Sequence, residues 1–164
     1  MLSEKLLKAI NEQIMHEIYS SNLYLAMAAY FEAKSLPGFA QWMRVQSDEE
    51  RAHALKFFDY LHDVGAQAKI YAISEPPAEW SSALDVFENV LRHEQKVTSL
   101  IYGLYEIALK DKDYAAQSML KWFIDEQVEE EKNAMLIVDQ LKMLTDQRAI
   151  ILHLDHKFGK RGAD

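Results

Sequence analysis

Residues 43–64 read MRVQSDEERAHALKFFDYLHDV. Walked in alternating steps of three and four, the stretch sets Met43, Gln46, Glu50, His53, Phe57, Tyr60 and Val64 on one face. That repeat is the signature of a helix buried along one side of a bundle. The face is apolar at both ends and polar at its centre. Three other segments repeat the pattern. The first gives Ile10, Ile14, Glu17, Ser21, Tyr24, Ala28 and Phe31. The third gives Leu84, Phe87, Leu91, Glu94, Thr98, Ile101, Tyr105 and Ala108. The fourth gives Leu120, Phe123, Gln127, Glu130, Ala134, Ile137, Leu141 and Leu144. Four stripes that turn polar at mid-length predict four helices whose polar centres meet at one level, whichever way each helix points.

The punctuation between stripes predicts how the helices connect. Ser3 is read as an N-cap, and Leu36-Pro37-Gly38 as the end of a first helix that runs to Ser35. A second helix runs from Phe39 to Val64, with Gly65 as the residue that turns the chain out of it. Pro76-Pro77 exclude helix from the following linker, and a third helix starts at Ser82, whose spacing to Asp85 matches a capping box, and ends near Lys110. After Asp111-Lys112-Asp113 a fourth runs from Tyr114 to Leu144, and a short fifth from Gln147 to Lys160. The linker of roughly 16 residues can extend about 50 Å, enough to pass along a helix of some 40 Å. The expected fold is therefore all-α: one domain over residues 1–164, with a four-helix bundle at about 3–144, one long crossover, and a short C-terminal helix at about 147–160.

Composition narrows the function. The 164 residues are 49% hydrophobic, which suits one sizeable core. No cysteine is present, so disulfides, thiolate metal sites and cysteine nucleophiles are excluded. The formal charge of −8 opposes nucleic-acid binding. No apolar run approaches the roughly 20 residues needed to span a bilayer. Met1-Leu2-Ser3-Glu4-Lys5 does not read as a secretory leader, and a cytoplasmic location is expected.

The polar level carries the chemistry. Glu17, Glu50, Glu94 and Glu130 would all point inward, and no Lys or Arg shares their stripes there. Buried like charges repel, and each unpaired one costs several kcal/mol. Two divalent cations would balance four carboxylates, with neutral His53 as a nitrogen ligand three residues from Glu50. A carboxylate-rich set with one imidazole favours iron or manganese. The bland alternative is a polar layer that only fixes helix register. Glu49, Glu126, Glu129 and Glu131 flank these positions and read either as a solvated face or, for the first three, as an adjoining weaker metal position. Ser47-x-x-Glu50 matches a capping box but lies mid-segment. Tyr24, two turns beyond Glu17, reads as a core residue with a satisfied hydroxyl, and Trp42 and Trp122 as packing residues. His16, His62, His93, His153 and His156 fall off the stripes and are expected at the surface. Lys157, Lys160 and Arg161 are expected to complement the last helix's dipole. The apolar face Ile150, Ile151, Leu154 and Phe158 suits either a subunit contact or the chain's own bundle.

With these residues the chain resembles the bacterial and archaeal non-haem ferritins over nearly its whole length. The matching pieces are Glu17 followed by Tyr24, Asp48-Glu49-Glu50-Arg51-Ala52-His53, Glu94, and Glu126-Gln127-Val128-Glu129-Glu130. The resemblance implies a ferroxidase centre in which Glu17, Glu50 and His53 hold one iron, and Glu50 bridges to a second held by Glu94 and Glu130. Gln127 would be a near neighbour, and Glu49, Glu126, Glu129 and Glu130 would form a third iron position. Tyr24 would tune the centre or supply an electron. The resemblance further implies Fe(II) oxidation by dioxygen, and a ferric mineral inside a hollow homo-oligomeric shell of 24 subunits. Haem is not expected, because Arg51 stands where haem-binding relatives place Met. Gln127-x-x-Glu130 replaces the second Glu-x-x-His of bacterioferritins and rubrerythrins. A di-iron oxidase or peroxidase that stores no mineral is the alternative.

Overall fold

The computed structural model describes residues 2–144 and 148–162, without the side chains of 148 and 149. It contains α1 (Glu4–Ala33), α2 (Pro37–Asp63), α3 (Ala83–Lys110), α4 (Tyr114–Lys142) and α5 (Arg148–Phe158). The expected start of the last helix at Gln147 lies outside the described residues. Ser3 caps α1 by accepting from Leu6 N, Ser82 caps α3 through Asp85 N, and Asp113 caps α4 through Ala116 N. The reciprocal arm of the expected capping box is displaced by one residue: the Asp85 carboxylate accepts from Ser81 N and Oγ. Asp85 is thereby held below the ordinary carboxylate range, chiefly by the backbone N–H of Ser81.

Pro37 corrects one boundary. It opens α2 as its first residue instead of closing α1, where its missing N–H and fixed φ are harmless. Helix α1 is ended by Ser35, at φ 59°, with Leu36 N bonded to Phe31 O at 3.0 Å. Gly65 (φ 74°) ends α2 in the same way, with Ala66 N bonded to Leu61 O at 2.8 Å. The linker that follows contains no helix, and Lys69 N pins it to Asn11 Oδ1 of α1.

Two apolar clusters fill the bundle, one on either side of the polar level. One joins Met27, Phe31, Phe39, Met43, Phe87, Val90 and Ile137; the other joins Leu6, Ile10, Phe57, Leu61, Ile101, Leu120 and Phe123. The first takes the N-terminal halves of both α2 and α3, so these two helices run parallel. The crossover connects them, as its length predicts. Helix α5 lies on its own bundle: Leu154 is buried there, Ile151 and Phe158 pack against the first cluster, and Phe158 stacks on Phe39. The Asp155 carboxylate accepts from the backbone N–H of Gly38 and Phe39, capping the N-terminus of α2 from outside. A Cβ on Gly38 would lie 1.8 Å from Asp155 O, so only glycine permits this approach.

Candidate metal centre

Each helix of the bundle contributes to the polar level. Glu17, Gln46, Glu50, His53, Glu94, Gln127 and Glu130 are all buried. Among the described residues no Lys or Arg side chain is buried. Glu17, Glu50 and His53 each offer a ligand atom within 4.8 Å of the others, and so do His53, Glu126 and Glu130. Because His53 belongs to both groups, its two ring nitrogens matter separately: Nδ1 lies 3.4 Å from Glu50 Oε2 and Nε2 lies 4.0 Å from Glu126 Oε1.

Amide side chains hold the carboxylates in place. Gln13 Nε2 donates to Glu17 Oε1 at 2.7 Å from one turn away. Gln46 Nε2 donates to Glu50 Oε1 at 3.1 Å and to Glu130 Oε2 at 2.8 Å, tying α2 to α4. Gln127 Nε2 donates to Glu94 Oε2 at 3.2 Å, and Tyr24, fully buried, donates its hydroxyl to Glu94 Oε1. The other oxygen of Glu17, Oε2, is buried with no hydrogen-bond partner. A bare buried carboxylate oxygen is costly to leave so, and beside Glu50 and His53 it has the place and chemistry of a metal ligand.

The electrostatics agree. Burial, then the Glu50 charge, pushes the Glu17 carboxyl well above its usual range. Glu50 is raised by burial and then by Glu94 and Glu130. Burial lifts Glu94 to about 7, against the lowering pull of the Tyr24 hydrogen bond. Burial and then Glu94 lift Glu130 to about 7. Four acids that resist ionisation around one imidazole form a site short of positive charge. A divalent cation would supply that charge and expel the protons on binding.

Of the flanking acids, Glu126 faces His53, Glu129 is exposed, and Glu49 accepts from Arg161 Nη2 at 2.5 Å. Thr98 donates to Glu131 at 2.6 Å, which ties Glu131 to α3. Ser47, the false capping residue, instead donates to Ser21 O of α1 at 2.8 Å.

Several expectations need correction. His93 is not a surface residue: it lies between α1 and α3, 2.7 Å from Ser20 Oγ and edge-on to Tyr24, and burial lowers it to about 4. His16 is half-buried and lowered for the same reason. Trp122 is 38% exposed, with Lys56 over its ring and His53 against its edge, so it walls the centre without being a core residue. Arg161 does not serve the α5 dipole but reaches Gln46 and Glu49 on α2. Residues that the sequence reading left out of the site are Gln13, Gln46 and Arg161. Gln46 stood on its stripe beside Glu50, whereas Gln13 had only its spacing of four from Glu17 as a signal.

Known proteins resemble this chain over nearly its whole length. The family model for the ferritin-like domain matches residues 7–144. A bacterial non-heme ferritin of Bacteroides fragilis is 47% identical over 161 residues, covering 98% of this chain and 100% of that one. One of Staphylococcus aureus is 42% identical over 164 residues, 100% of this chain and 99% of that one. Among solved structures, an open-pore ferritin of the hyperthermophilic archaeon Archaeoglobus fulgidus superposes with a TM-score of 0.96 at 46% identity, covering 98% of each chain. An engineered closed form of the same ferritin gives the same three values.

Proposed function

This chain belongs to the ferritin family, and on that premise we propose that it oxidises Fe(II) with dioxygen at the buried carboxylate centre and stores the ferric product. The observation that carries the reading is four buried carboxylates and one imidazole, on four helices, with no buried Lys or Arg among the described residues. Two ferrous ions are the substrate. Glu17, Glu50 and His53 hold one; Glu94 and Glu130 hold the other, with Glu50 between them. Hard oxygen donors stabilise Fe(III) over Fe(II) and so favour loss of an electron from each ion. One dioxygen takes the two electrons and two protons and leaves as hydrogen peroxide.

The chain's own groups prepare this step. Gln13, Gln46 and Gln127 donate to one lone pair of their carboxylates and leave others free for the ions. Tyr24 keeps Glu94 ionisable at neutral pH and is close enough to lend an electron to the centre through that hydrogen bond. Glu126, Glu129 and Glu130, with Glu49, make a weaker third position through which iron passes. Storage takes place in a hollow homo-oligomeric shell of 24 chains in the cytoplasm, without haem, membrane or nucleic acid. Open-pore and closed ferritins among the matched structures support the shell.

Aerobic loading with excess Fe(II), followed by size exclusion with iron counted per chain, tests the whole reading. Many tens of ions in a large particle is the expected result. About two per chain would reduce it to a di-iron oxidase, and none would leave the layer as architecture.

A further inference from the structure

Arg161 follows the last turn of α5, yet its side chain reaches the level of the buried carboxylates on α2. Three contacts hold it there. The guanidinium lies over the ring of Trp42, 4.4 Å from the centroid. Nη1 donates to Gln46 Oε1 at 2.8 Å, and Nη2 donates to Glu49 Oε2 at 2.5 Å. The backbone is built for this placement. Asp155 anchors α5 on the N-terminus of α2, and a Cβ on Gly159 would lie 2.8 Å from Gly38 Cα. Gly162 adopts φ 75°, which turns the chain beside Val45. The Arg161 side chain is 23% exposed and that of Glu49 43%, so the pair is only partly screened by water.

Resting on the iron reading above, we propose that Arg161 occupies Glu49 in place of a cation, so that a third ferrous ion binds only by displacing the guanidinium. A dication at Glu49 that left the guanidinium in place would share a carboxylate with a positive charge a few Å away. After discounting for the exposure of the pair, that repulsion is worth about tenfold or more in affinity. The third position is thereby kept weaker than the pair of irons, as a place of passage must be if iron is to leave it. The displacement is felt at the pair. Arg161 holds Gln46 Oε1 outward, and this directs Nε2 to both Glu50 and Glu130. When the guanidinium leaves, the amide is free to turn and loosens both carboxylates as iron moves outward.

The test is anaerobic calorimetric titration of the assembled protein with Zn(II), which is not oxidised. The native protein is expected to bind two ions per chain tightly and a third at least tenfold more weakly. Arg161→Gln should tighten the third about tenfold, while the first two bind no more tightly than in the native protein because Gln46 is released, with circular dichroism and gel filtration showing the fold and assembly intact. Arg161→Lys keeps a cation near Glu49 and should stay close to the native values. In a Glu49→Gln background the gain should vanish. Trp42 emission should change on addition of the third equivalent, a response absent from Arg161→Gln. An unaltered third affinity in Arg161→Gln, or a gain that survives Glu49→Gln, would overturn the proposal while leaving the iron pair standing. Failure of the native protein to bind the first two ions would overturn the iron reading itself, and this proposal with it.

Discussion

Glu130→Gln separates the two consequences of burying four carboxylates: instability without cations and affinity for them. The folded chain raises Glu130 from the ordinary 4.5 to about 7, by burial first and by Glu94 next. An acid raised on folding leaves the folded state at full stability below 4.5. It withdraws that stability as pH climbs through about 7, because the unfolded chain ionises more readily. A rise of about 2.5, at ~1.4 kcal/mol each, amounts to roughly 3 kcal/mol for one carboxyl. Glutamine has the shape of the protonated acid, and its carbonyl can still accept from Gln46 Nε2, but it never ionises. In the presence of chelator, native and variant chains should therefore agree within about 1 kcal/mol at pH 4.5. At pH 8 the variant should be more stable by roughly 3 kcal/mol. Guanidinium unfolding at matched protein concentration reads this, since assembly makes stability concentration-dependent. Excess divalent metal should reverse the order, because a ligand at a thousand times its Kd adds about 4.1 kcal/mol to the native chain alone. A metal-free variant less stable than the native chain at pH 8 would refute the reasoning: Glu130 would then have a stabilising partner, and the layer would not be short of positive charge.

Other perturbations follow from individual contacts. Tyr24→Phe removes the hydrogen bond that lowers Glu94; the pH of half-maximal Zn(II) binding should rise by about one unit, and an unmoved profile would detach Tyr24 from the centre. His53→Ala should reduce the tight stoichiometry from two ions per chain to one, counted by mass spectrometry under native conditions; retention of both would remove His53 from the ligand set. Gly38→Ala forces a methyl into Asp155 O; docking of α5 should weaken by about 1–3 kcal/mol. Hydrogen exchange should then accelerate across Arg148–Phe158, whereas unchanged protection would contradict the described approach of α5 to α2.

The sequence by itself determined the helices, their buried faces and the level of the centre. A helix repeats every 3.6 residues, so Glu17, Glu50, Glu94 and Glu130 declare themselves inward from local spacing alone. Their position at mid-stripe puts them at one height in any antiparallel arrangement. Gly65 and Ser82 were legible for the same local reason, since a cap depends on neighbours in the chain. Pro37 was ambiguous because it both forbids a preceding helix and favours a following one. Only the tertiary structure decided which donor meets which carboxylate. Gln46 and Glu130 are 84 residues apart, and Arg161 and Glu49 are 112 apart; a pairing over such a distance leaves no periodic trace. His93 was misjudged because it lies off the stripe of α3 and is covered by Ser20 and Tyr24 of α1, a neighbour that its own helix does not reveal. The apolar face of α5 likewise could not name its partner. The bundle's first cluster claims it, because Asp155 caps α2 where Gly38 leaves room. Periodicity states which side of a helix is hidden, whereas the identity of what hides it depends on the packing of all the helices together.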